Sequence, residues 1–193
     1  MGLAALAALA AAWAGLARLG WRLPTTPGLQ IAHGPLMVSG FLGTLIGVER
    51  AVALGRRWPY AGPLLTGIGA LMLIAGVPGW PSPLLMTLGS LGLVLVFAVI
   101  IHRHPALFTA VMGLGALAWL VGNGFWLAGR PIYQVVHWWV GFLALTIAGE
   151  RLEMARLTRL STVSRALFLT AVVWLLIGLG VTAVDQALGA RLT

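Results

Sequence analysis

Charged residues and cysteine are what this sequence lacks. Only 8% of its 193 residues are charged, 60% are hydrophobic, and no cysteine is present. The mean hydropathy is +1.00. A soluble domain carries about a quarter charged residues, so the composition predicts an integral membrane protein. The lack of cysteine excludes disulfides, thiolate metal sites and iron–sulfur clusters held by cysteine.

Lysine is also missing. All twelve basic residues are arginine, only four residues are acidic, and the net charge is +8. No basic patch stands apart from the hydrophobic segments, so we expect arginines at helix ends beside a bilayer rather than a nucleic-acid partner. The sequence has no Walker motif, nucleophile elbow, paired catalytic carboxylates or zinc-protease motif. We therefore expect a protein that is not an enzyme on its own.

Seven apolar segments are long enough to cross a bilayer, which takes about 20 residues in a helix. Proline, glycine and arginine occupy the gaps between them, where helices end. The sequence therefore predicts an all-α, polytopic membrane helix bundle that forms a single domain over residues 1–193. The seven predicted spans, numbered in chain order, are 2–20, 29–50, 62–79, 83–101, 106–128, 132–151 and 166–187.

The arginines are distributed unequally between the two ends of these spans. The loops after spans 2, 4 and 6 hold eight arginines and the opposite side holds four. The positive-inside rule then places the N-terminus in the cytoplasm and the C-terminus outside, for a multi-pass protein of a bacterial inner membrane. The eight are Arg50, Arg56, Arg57, Arg103, Arg151, Arg156, Arg159 and Arg165.

One short pattern occurs twice, 101 residues apart. Gly-Phe-Leu begins at Gly40 and again at Gly141, and in both places six residues separate it from a following Glu-Arg. Spans 2 and 6 would then run in the same direction, as in a parallel internal repeat. We expect these spans to pack side by side, aligned by their glycines. The acid–base pairs, Glu49 with Arg50 and Glu150 with Arg151, are expected to form ion pairs between helix ends or to line a proton or cation path.

Each repeated helix also carries a histidine near its start. His33 lies seven residues before Gly40 and His137 lies four before Gly141, so their depths differ by about 4.5 Å. Imidazole is a good ligand for haem iron and for copper, and Met37 follows His33 by one turn. One hypothesis is a shared haem b or copper site held by His33, His137 and Met37. An interfacial polar residue or helix cap is the alternative for His33.

The stretch "HGPLM" resembles the H-G-x-x-M opening of a haem-ligating helix in haem–copper oxidase catalytic subunits. The longer stretches "HGPLMVSGFLGTLIGVERAVAL" and "WWVGFLALTIAGERLEMARL" are similar to the NnrS-type haem- and copper-containing membrane proteins of nitric-oxide stress. The resemblance covers spans 2, 5 and 6. It implies that His33 and His137 bind haem or copper, for electron transfer or nitric-oxide-related chemistry.

Two other functions fit the same sequence. A small transporter or channel component would use Glu49, Glu150 and Asn123 along an internal polar path. A structural subunit of a larger membrane complex would have no chemistry of its own. In each case the bilayer is one partner, and another membrane subunit or a second copy of the chain is a further one.

Overall fold

The computed structural model describes residues 1–155 and 161–189, and within these ranges the chain forms eight helices and no strand. The predicted all-α fold is confirmed. A short 3₁₀ turn, Trp58–Tyr60, leads into the fourth helix. The helices are α1 Gly2–Arg18, α2 Pro27–Ile31, α3 His33–Leu54, α4 Ala61–Ile74, α5 Pro81–Arg103, α6 Leu107–Leu127, α7 Ile132–Ala155 and α8 Thr162–Gly189.

Among the described residues, five helices are long and apolar enough to cross a membrane: α3, α5, α6, α7 and most of α8. The other two predicted spans, 2–20 and 62–79, correspond to the shorter helices α1 and α4, of 17 and 14 residues. At 1.5 Å per residue these cover about 26 and about 21 Å, less than a hydrocarbon core of about 30 Å. The two short helices end before glycines with positive φ, Gly20 and Gly76.

The arginine distribution is only partly visible, since Arg156, Arg159 and Arg191 lie outside the described residues. Of the arginines that the structure describes, Arg50 and Arg103 lie at the same end of the bundle and border one cleft. We call this the Arg50 end and the opposite one the His33 end. Which of the two faces the cytoplasm stays a prediction.

Small residues allow α1 to lie close to the rest of the bundle. A stripe of buried alanines runs along α1 at a helical spacing, and Ala7 within it faces Gly40 of α3. A Cβ atom at Gly40 would lie 3.1 Å from the Ala7 Cβ and 3.0 Å from the Ala70 Cβ of α4. Such close approach of small residues is how helices associate in lipid, where no hydrophobic effect drives them together.

The largest apolar cluster lies between α5, α6 and α7. Phe97, Met112, Trp119, Trp139 and Phe142 are all nearly or completely buried in it. The Trp119 and Phe142 rings stack at a centroid distance of 4.9 Å with an interplanar angle of 11°. The aromatic rings therefore fill the centre of the bundle. Trp139 is among them, although it lies only eight residues into α7.

Helix α3 changes its winding near its start. Residues 36–43 form a π-helix, directly after Pro35, which has no N–H to donate. The hydroxyl of Ser39, within this wider stretch, accepts a hydrogen bond from Trp119 Nε1 at 3.0 Å. π-Helical turns are rare and often occur at functional sites. This one begins three residues after His33.

The repeated helices α3 and α7 run parallel, as the sequence predicts. At one end Gly34 faces Trp139 and Ile132, and at the other Arg50 contacts Glu150. The predicted alignment by glycines is wrong, because Gly40 faces α1 and α4 while Gly141 faces Leu179 of α8. Between α3 and α7 the Trp119 indole of α6 lies against Gly43, and this bulky ring prevents a glycine-to-glycine contact.

The contact between Gly43 and Trp119 gives a stability prediction. A Cβ atom in Gly43→Ala would collide with the Trp119 ring, so we expect the free energy of unfolding to fall by about 1–3 kcal/mol. Gly124→Ala in α6 is the matched control, since nothing lies within 4 Å of its Cβ position. Thermal unfolding in detergent, followed by circular dichroism, compares the two. Equal melting temperatures would contradict the packing described here.

Candidate functional site

The imidazole of His33 is held by α1. Its Nδ1 lies 2.8 Å from the carbonyl oxygen of Ala11. Because a carbonyl oxygen only accepts, Nδ1 of the neutral ring carries the proton and the lone pair lies on Nε2. The ring packs on Gly15, where an added Cβ would lie 2.9 Å from Cε1. Helix α1 therefore fixes both the tautomer and the orientation of the ring.

A groove of about 620 Å³ opens beside His33. It lies between the end of α1, the start of α3 and the start of α7, and we call it the His33 groove. Met37 lines it together with His33, as expected for residues four apart on one helix. Arg18, Gln30 and Tyr133 add polar groups to its wall. An imidazole and a thioether therefore border the same space.

His137 does not line this groove. Its side chain is exposed and borders a separate apolar crevice of about 340 Å³ between α7 and α8, beside Trp174 and Leu175. The preceding residue, Val136, lines both spaces. Each step along a helix turns the side chain by about 100°. The step from Val136 to His137 therefore turns the His137 imidazole away from the groove that contains His33. In the described part of the chain, no group of three or more His, Cys, Asp or Glu side chains is arranged to hold a metal ion.

Asn123 lies at the centre of a buried hydrogen-bond cluster. Its Oδ1 accepts from Ser39 Oγ at 3.1 Å and from Trp139 Nε1 at 3.0 Å, and its Nδ2 donates to the Met86 carbonyl at 3.2 Å. Trp119 joins through its bond to Ser39. These residues come from α3, α5, α6 and α7. Asn123 is thus committed to bonds between helices, which favours a structural role over a place on a polar path.

At the Arg50 end, three carboxylates lie within 4.0 Å of the Arg50 guanidinium. Arg50 Nη2 lies 3.2 Å from an oxygen of Glu49 and 3.2 Å from one of Glu150, and Nη1 lies 4.0 Å from Glu153. The pair with Glu150 joins α3 to α7, so the expected ion pair between helix ends is present. Arg151 is exposed and forms no ion pair within the ranges that the structure describes. Of the two acid–base pairs of the repeat, only Arg50 and Glu150 therefore meet across the helices within the described residues.

Sequence reasoning did not single out Glu153. It follows Glu150 by three residues, and this spacing puts both carboxylates on one face of α7. The three-residue spacing could have indicated that the two carboxylates act together. Their common partner, Arg50, could not be inferred from it, because Arg50 lies about a hundred residues earlier in the chain.

The fold and the arrangement at its two ends define a helical protein with several apolar helices that could span a membrane. The chain belongs to the family described as a domain of unknown function, DUF8744, which it matches over residues 1–193. No curated protein and no solved structure matches it.

Removing the central amide tests the role of the cluster. In Asn123→Ala, Trp139 Nε1 and Ser39 would lose their buried acceptor, and we expect the free energy of unfolding to fall by about 2 kcal/mol or more. Thr170→Ala is the control, because Thr170 is exposed and bonds only within its own helix, to Ala166. Unfolding in mixed micelles, followed by tryptophan fluorescence, measures both. Asn123→Ala falling no further than the control would argue against a structural cluster.

Proposed function

We propose that this protein is a membrane metalloprotein that binds copper at the His33 groove through His33 and Met37. The observation that carries the proposal is the bond from His33 Nδ1 to the Ala11 carbonyl. Histidines that bind metals almost always donate the other ring N–H to a carbonyl, carboxylate or water, which directs the free lone pair at the metal. Nε2 of His33 has no hydrogen-bond partner within residues 1–155 and 161–189.

Copper fits the two side chains better than haem does. A thioether is a soft ligand that favours Cu(I), and imidazole binds copper well. His33 and Met37 come from one helix turn and line one groove, so they would hold a single metal ion together but would not both bind the iron of one haem. His137 borders another space. Haem b with His33 as its single protein ligand is the alternative.

His33 and Met37 would be the two ligands that this chain supplies to copper. A second membrane subunit, a second copy of the chain or a small molecule such as nitric oxide would supply any further ligand. The bound copper would supply electron transfer or nitric-oxide-related chemistry, in keeping with the resemblance of "HGPLM" to haem-ligating helices. The arginines at the opposite end support placing the groove on the outer face of a bacterial inner membrane.

The ligand roles can be tested with two variants and a histidine control. We expect His33→Ala to weaken Cu(I) binding by at least about tenfold and Met37→Leu to weaken it by a smaller factor. His137→Ala is the matched control, since its imidazole lies in the other crevice, and it should bind like the unchanged protein. Competition with a coloured Cu(I) chelator under reducing conditions, together with metal analysis, gives the affinities.

The outcomes separate the three functions. Copper binding that is unchanged in His33→Ala would reject the proposed site. A Soret band in protein from haem-replete cells, lost in His33→Ala, would replace copper by haem. Protein that binds neither copper nor haem would reject the metalloprotein proposal and favour a structural subunit or a transporter component.

The positioning by α1 gives a separate prediction. In Gly15→Ala the new methyl group would push the His33 ring away from its present place, so we expect weaker Cu(I) binding although no ligand is removed. Gly28→Ala, in the neighbouring α2, has nothing within 4 Å of its Cβ position and is the control. The same chelator competition measures both. Equal affinities would show that contact with α1 does not orient the ligand.

A further inference from the structure

Another cavity lies at the end of the bundle opposite to the His33 groove. It has a volume of about 260 Å³ and lies between the end of α3, the end of α5 and the start of α6. Arg50, Arg103, His104 and Glu153 form its polar side. We call it the Arg50 cleft. It is remote from the His33 groove, since Arg50 and His33 are at opposite ends of α3.

The other side of the cleft is apolar. Phe97, Ile100, Phe108 and Met112 line it, from α5 and α6. A fully water-soluble anion would leave this wall exposed, whereas a molecule with an anionic head and an apolar body would cover both sides. The shape and lining of the cleft therefore match an anionic amphiphile better than a free ion.

Arg103 gives the cleft a cation that can bind an anion, because it is exposed on the lining and forms no ion pair within the described ranges. Arg50 also lines the cleft, but it is only 11% exposed and already contacts Glu49 and Glu150. Although Nε of Arg50 is buried, it has no hydrogen-bond partner within the described ranges. A buried donor without a hydrogen-bond partner costs free energy. The Arg50 guanidinium lies beside Phe97, 6.0 Å from the ring centroid, and Phe97 lines the same cleft.

The cleft lies where lipid headgroups would be. Apolar helix α5 ends at Arg103 and α6 begins at Leu107, so the polar rim marks the boundary of the apolar part of the bundle. Basic pockets between membrane helices are known sites for phosphate-bearing headgroups. We propose that the Arg50 cleft binds the phosphate of an anionic phospholipid through Arg103 at its rim, with the lipid's glycerol and first methylenes against Phe97 and Ile100.

The test uses the full chain in detergent and native mass spectrometry, titrated with phosphatidylglycerol or with phosphatidylcholine. Arg103→Ala should weaken phosphatidylglycerol binding by about tenfold, as expected for the loss of a hydrogen bond to a charged group. Arg103→Lys should retain part of it. Arg56→Ala is the matched control, because Arg56 is exposed at the same end and does not line the cleft. It should change binding by less than about twofold.

Three results would overturn the proposal. The first is equal binding of the two lipids, and the second is an equal loss in Arg56→Ala and Arg103→Ala, which would indicate diffuse attraction. The third is displacement of the lipid by inorganic phosphate at similar concentrations, which would assign the cleft to free phosphate. His33→Ala should leave lipid binding unchanged, so the outcome does not depend on copper.

Discussion

Buried polar groups in an apolar environment must find their partners within the protein, and this bundle meets that constraint around Asn123. The side-chain amide joins Ser39, Trp139 and the Met86 carbonyl, and so connects four helices. Apolar contacts alone are non-directional and permit helices to slide or rotate. The hydrogen bonds are directional, so they select one rotation of α3, α5, α6 and α7. The positions of the side chains at both ends of the bundle follow from that selection.

Helix α3 connects the two candidate sites. His33 and Met37 lie at its start, and Arg50 lies near its end. Between them, small residues at Gly40 and Gly43 allow α1, α4 and α6 to approach closely, and Ser39 enters the central cluster. The same small residues leave α3 few bulky side chains of its own in the core. Its position is therefore determined by its neighbours, which explains why α1 sets the orientation of the His33 ring.

The sequence predicted the helical class and the bounds of the long helices to within a few residues, and it led us to expect an ion pair between helix ends without naming Arg50 and Glu150 as its partners. The helix bounds follow from hydropathy averaged over long stretches of sequence, and the ion pair follows from the direction in which the two repeated helices run. Neither requires the rotation of a helix about its own axis to be known. The sequence did not predict that α1 and α4 are shorter than the other apolar helices, since glycines with positive φ follow their ends, and these two predicted spans are not confirmed. The place of His137 depends on a rotation of one residue about α7. Such a rotation is decided by packing from Trp119 and Phe142, residues that no local pattern relates to the histidine.

The scarcity of acids also has a structural consequence. Three of the four acidic residues, Glu49, Glu150 and Glu153, surround Arg50. A cation that is mostly buried at the end of an apolar bundle requires such compensation, because desolvation would otherwise oppose its burial. With the acids used there, Arg103 at the rim forms no ion pair within the described ranges and stays able to meet an external anion. Three carboxylates thus offset the charge of the buried Arg50, whereas the exposed Arg103 at the same end has none paired with it within the described residues.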